Sequence, residues 1–95
     1  MLTFIESFIR KISLLVETDY GDYMRLANLY LNTLRDELRP LKDENINKKL
    51  SEMQMYLQFA PNWDVETSKN KLLKDAEYIE DLLYAHVQDW ESAPL

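Results

Sequence analysis

The chain has 95 residues, of which 46% are apolar and 29% charged, with one Gly, three Pro, no Cys and a net charge of −6. That length supplies a single domain over residues 1–95, and the composition excludes disordered, collagen-like, disulfide-stapled and thiolate-metal proteins. A lone glycine also argues against tight hairpins, so the expected fold class is all-α.

Helix 1 is announced by Thr3-Phe4-Ile5-Glu6, the spacing of a capping box, and is expected to run to about Glu17. At ~100° per residue Phe4, Ile5, Phe8, Ile9, Ile12, Leu15 and Val16 share one arc, opposite Glu6, Arg10, Ser13 and Glu17. The Asp19-Tyr20-Gly21-Asp22 stretch holds the only glycine and two candidate N-caps, so the chain turns there.

Helix 2 then places Tyr23, Leu26, Ala27, Tyr30, Leu31, Leu34 and Leu38 on one side and ends before Pro40, with Leu29 on the outer side. Helix 3 begins near Asp43 or Glu44. Its apolar stripe is Ile46, Leu50, Met53 and Leu57, while Met55, Tyr56 and Phe59 point away from it. Tyr20, Tyr23, Phe59 and Trp63 are expected to plug one end of the bundle. Helix 4 starts at Asp64 or a turn later near Ser68 and continues to about Glu91. Leu72, Ala76, Ile79, Leu82, Leu83, His86, Val87 and Trp90 line its buried face.

Four amphipathic helices with short connections predict an antiparallel, up-and-down four-helix bundle with a long C-terminal helix that overhangs its neighbours. The narrow stripe of helix 3 keeps a second architecture open, a three-helix core with helix 3 outside. Leu2, Leu38 and Leu41 are candidates to cover Trp90 at the overhang. The longest aliphatic run, Leu14-Leu15-Val16, is far below the ~20 residues that span a bilayer, and Glu6 stands where a signal peptide is basic and then apolar. A cytoplasmic protein with no membrane partner is expected.

Charge is unevenly placed. Up to Lys74 acidic and basic residues balance, so the net −6 comes wholly from Asp75, Glu77, Glu80, Asp81, Asp89 and Glu91. On the helix-4 wheel Glu77, Glu80, Asp81, Tyr84, Gln88 and Glu91 fall within about 100°, an acidic ridge with a tyrosine in its middle. Carboxylates toward a helix C-terminus oppose the macrodipole, so local stability does not explain them. The ridge reads either as a solubilising face or as a docking face for a basic protein, and it disfavours nucleic acid. Lys69, Lys71 and Lys74 make the first half of the same helix basic, a polarity that self-pairing would exploit.

Chemistry is hard to find. His86 is the only histidine, with Leu82 and Leu83 where a metal-binding helix would place a second ligand, so it reads as an interior or rim residue. Neighbouring carboxylates such as Asp36-Glu37, Asp43-Glu44 and Glu80-Asp81 splay by ~100° and do not converge. Neither a phosphate-cradling glycine loop nor a cysteine nucleophile is present, so no catalytic, cofactor or metal site is expected.

Two functions remain. One is a stoichiometric inhibitor of immunity or antitoxin type that covers a basic surface of a partner such as a nuclease toxin. The alternative is a homo-oligomeric adaptor or structural subunit that pairs through Val87 and Trp90.

Overall fold

The computed structural model describes residues 2–16, 18–59 and 62–92, with the side chains of 87–92 outside the description. Its helices are α1 (Leu2–Ser13), α2 (Tyr20–Leu38), α3 (Glu44–Phe59) and α4 (Val65–Ser92), with a 3₁₀ turn at Arg39–Leu41. Each helix packs on its neighbour in sequence, and α1 closes against α4, which is the up-and-down four-helix bundle. No helix among the described residues is long and apolar enough to cross a membrane.

The heptad-like stripes build the core. Tyr23, Ala27, Leu31, Leu34 and Leu38 of α2 meet Ile46, Leu50, Met53 and Leu57 of α3, all buried. Ile5, Phe8 and Ile12 of α1 and Leu72, Ala76, Ile79 and Leu83 of α4 complete it. Helix 3 is thus a full member of the bundle, and the three-helix alternative is excluded. Leu29 lies outside at 57% exposure, and Leu82 is half-buried.

Aspartates start three helices. Asp19 accepts from the Asp22 amide at 3.0 Å; Asp43 accepts from Asn45 and Ile46; Asp64 accepts from Thr67 at 2.7 Å. The start of α4 is therefore fixed by Asp64, not by Ser68, whose side chain is buried and bonded to the Tyr23 hydroxyl at 3.0 Å. Gly21 leaves room for the Asp19 cap, because a Cβ there would stand 3.1 Å from its carboxylate.

Helix 1 departs from expectation at both ends. It begins at Leu2, which packs on the core, so Thr3 lies within the first turn, and no capping box with Glu6 forms among the described residues. It also stops at Ser13 short of Glu17, which itself lies outside the described residues. Leu15 bonds back to Ile12 in a tighter turn, and its carbonyl is taken by the Lys69 ammonium at 2.9 Å. That contact lies two residues past the helix end, and the β-branched Val16 and Thr18 that follow have low helix propensity. Val16 consequently sits at 84% exposure, outside the arc that holds Ile5, Phe8 and Ile12, and Phe4 is at 36%.

The expected aromatic plug is two separate pairs. Tyr20 packs on Tyr23 with centroids 5.5 Å apart, and Tyr56 packs on Trp63 at 5.2 Å. Phe59 joins neither and is 67% exposed, since it points away from the α3 stripe.

Pairwise contacts set the axial register. Lys69 lies level with Leu15, Ser68 with Tyr23, and His86 with Asp43. Counting along the helices from these points, the start of α1 falls near Leu82, and the 3₁₀ turn after α2 falls near His86. Residues 87–92 therefore run ~9 Å past all three neighbours at ~1.5 Å per residue. The expected covering of Trp90 by Leu2, Leu38 and Leu41 falls on a side chain outside the described residues.

Candidate functional site

The acidic face of α4 follows from one helical wheel carried without a break from Val65 to Ser92. Glu77 and Asp81 are exposed, Tyr84 is 45% exposed, and Glu80 is half-buried. Gln88 and Glu91 lie on helical backbone, but their side chains are outside the described residues, as are those of Val87 and Trp90.

None of Glu77, Glu80 and Asp81 forms an ion pair with a described cation. By contrast, Asp22, Asp36 and Glu52 are held by Arg25, Arg39 and Lys49. The Lys69–Leu15 register brings the α1 turn carrying Glu6 alongside the turn carrying Glu77 and Glu80, so a second helix adds to the acidic face. The helix continues to Ser92, which places Glu77, Glu80 and Asp81 more than two turns from its end. The macrodipole acts within the last turn, so its opposition falls on Asp89 and Glu91 rather than on this group.

Asp75 supplies part of the charge of this helix but none of its exposed acidic face, being 5% exposed at the α3–α4 interface. Nor is the first half of α4 a free basic patch. Lys69 is committed to the Leu15 carbonyl and Lys71 to Asp75 at 3.2 Å. The polarity expected to favour self-pairing is largely satisfied inside the molecule.

Around Asp75 stands the densest polar cluster among the described residues. The Tyr56 hydroxyl donates to Oδ2 of Asp75 at 2.9 Å, while Lys71 and Lys49 approach Oδ1 at 3.2 and 3.9 Å. Lys49 also pairs with Glu52 at 3.1 Å and stands 4.9 Å from the centroid of the Tyr78 ring. Burial and the adjacent Asp75 carboxylate push the Tyr56 phenol far up, and the Glu52 carboxylate raises Lys49. A tyrosine held neutral as a donor and a carboxylate surrounded by donors are a pin between two helices, not a nucleophile and its base. Tyr56, expected on the outer side of α3, turns inward because this carboxylate needs its hydroxyl.

The cluster was missed, although a signal existed. Asp75 sits on the α4 wheel at the edge of the Leu72, Ala76 and Ile79 arc, next to Ile79, and Lys49 and Tyr56 are seven apart on one face of α3.

His86 takes the rim position expected of it, its Nε2 2.7 Å from Oδ2 of Asp43. That hydrogen bond, with the Ile46 and Asn45 amides, holds the Asp43 carboxyl below the usual aspartate range. No group of three or more His, Cys, Asp or Glu converges among the described residues. The remaining surface hollows include a groove beside Met24, Arg25, Asn28 and Gln58, and a shallow one over Met55 and Phe59. The second is also lined by Lys48, Ser51, Glu52 and Tyr56, of which Glu52 is paired with Lys49 and Tyr56 donates to Asp75.

The fold and surface define a class, an all-helical four-helix bundle with one unpaired acidic face. No family model, curated protein or solved structure matches the chain.

Proposed function

We propose that this chain is a non-catalytic protein-binding domain whose acidic α4 face docks onto a basic surface of a protein partner. A stoichiometric inhibitor of immunity or antitoxin type, set against a basic protein such as a nuclease toxin, is the form of that reading. One observation carries it: Glu77, Glu80 and Asp81 surround an exposed tyrosine on a continuous helix and have no cation of their own among the described residues. A desolvated tyrosine inside a charged rim is the usual anatomy of a binding hot spot.

One helix face is too small for the ~800 Å² per partner of an ordinary stable interface, so α1 around Glu6 contributes the second strip. Phosphate-bearing partners are repelled by the same face.

Changing Glu80 and Asp81 to Lys slows association with the partner and flattens its salt dependence, because exposed charges act mainly on the on-rate. Tyr84→Ala instead speeds dissociation and costs at least ~2 kcal/mol as the loss of the anchor. Binding that stays within twofold after both changes makes the face a solubility feature.

One observation favours a second reading, the homo-oligomeric subunit. The α4 backbone continues beyond its three neighbours, and its sequence there carries Val87 and Trp90. On that reading Trp90→Ala lowers the sedimentation mass at micromolar concentration, and a monomer unaffected by the substitution removes it.

A further inference from the structure

Asp43 uses its two carboxylate oxygens for different helices. Oδ1 accepts from the amides of Asn45 and Ile46 at 2.8 and 3.1 Å, which caps α3, and Oδ2 faces Nε2 of His86 at 2.7 Å. The cap fixes the direction of the carboxylate, so the histidine meets a preset acceptor. The chain leading into it is also set, because Lys42 adopts a left-handed conformation with φ 53° and bonds back to Arg39 at 3.1 Å.

His86 occupies a special level of the bundle. The axial register ends α1, the α2 corner and α3 at or before it, so the turns that follow have no neighbouring helix. The His86 side chain is 35% exposed and that of Asp43 18%, so the pair lies at the rim of the bundle.

We propose that the Asp43–His86 contact is a clasp that fixes the overhanging end of α4 to the α2–α3 corner and so holds the last turns helical and in line. Taken with the docking reading on which this consequence rests, the clasp keeps Gln88 and Glu91 continuous with Glu77, Asp81 and Tyr84. The partner then meets one preorganised surface rather than half of one.

Amide hydrogen exchange on the full chain without any partner tests the clasp. The wild type is expected to show protected amides at 87–90. His86→Ala should speed their exchange at least tenfold while amides around Leu31 and Leu50 keep their protection.

Asp43→Ser separates the two roles, since serine can cap α3 but presents no carboxylate to the histidine. It should reproduce the His86→Ala effect in α4, and the double variant should add less than twofold to either. Wild-type amides at 87–90 that exchange freely overturn the proposal. So do rates within twofold of wild type in His86→Ala, or additive effects of the two substitutions. Because exchange is read on the isolated chain, failure of the docking reading leaves this result standing, and the reverse also holds.

Discussion

Replacing Tyr56 by Phe removes one hydroxyl and leaves the ring against Trp63, so it isolates the interhelical hydrogen bond to Asp75. A hydrogen bond to a charged group contributes roughly 1.5–3 kcal/mol. Asp75 keeps Lys71 at 3.2 Å and the more distant Lys49 at 3.9 Å, so its carboxylate is not orphaned and the loss falls at the lower end, about 1.5–2 kcal/mol. With a urea slope of roughly 1.5 kcal/mol/M for a domain of this size, the denaturation midpoint drops by about 1 M.

Asp75→Leu should also destabilise, because it strands the half-buried hydroxyl of Tyr56. Once the phenol is gone, the same change costs at least about 1 kcal/mol less, since no donor is left without an acceptor. Urea titrations followed by circular dichroism and by tryptophan fluorescence measure all four corners of this cycle. A Tyr56→Phe loss under about 0.5 kcal/mol, or two losses additive within about 0.3 kcal/mol, refutes the idea that the pair pins α3 to α4.

Leu83 is fully buried, so Leu83→Ala should cost about 2–5 kcal/mol, whereas Leu29→Ala at 57% exposure should be near neutral; chemical denaturation separates them. Burial pushes the Tyr23 phenol up to about 12, and Tyr56 also lies above the ordinary tyrosine value. The unfolded chain then loses these protons first as pH rises past about 10, so stability should fall from there upward, and alkaline titration of tyrosinate absorbance should coincide with unfolding. Titration of all six tyrosines in the folded chain, ahead of unfolding, would count against both placements. Lys42 holds a left-handed backbone that glycine adopts freely, so Lys42→Gly should raise the melting temperature, with a gain of about 1 kcal/mol.

Elements whose partners are implied by their own periodicity were legible in the sequence. Ile46, Leu50, Met53 and Leu57 alternate steps of four and three, and such spacing has one outcome, a buried seam. Outward positions such as Leu29, Glu77, Asp81 and Tyr84 followed from the same wheels.

What escaped depended on contacts distant in sequence. Just past the end of α1, Lys69 reaches the Leu15 carbonyl across 54 positions, a contact that no local propensity encodes. Asp75 is a buried pin because Tyr56 and Lys49 face it from another helix, which its own helical wheel does not show. The capping box at Thr3 was a correct motif in the wrong frame, overridden by burial of Leu2 on the core.

The docking claim is tested most directly by retention on a column. Wild type and a variant with Glu77, Glu80 and Asp81 changed to Lys are immobilised side by side, after circular dichroism shows equal helix content. Extract from the source cells is passed over both at low and at physiological salt. The account predicts that the wild type retains a discrete basic protein in a salt-dependent way and that the reversed variant does not, although its bundle is intact. Equal retention of the same protein by both columns would contradict it.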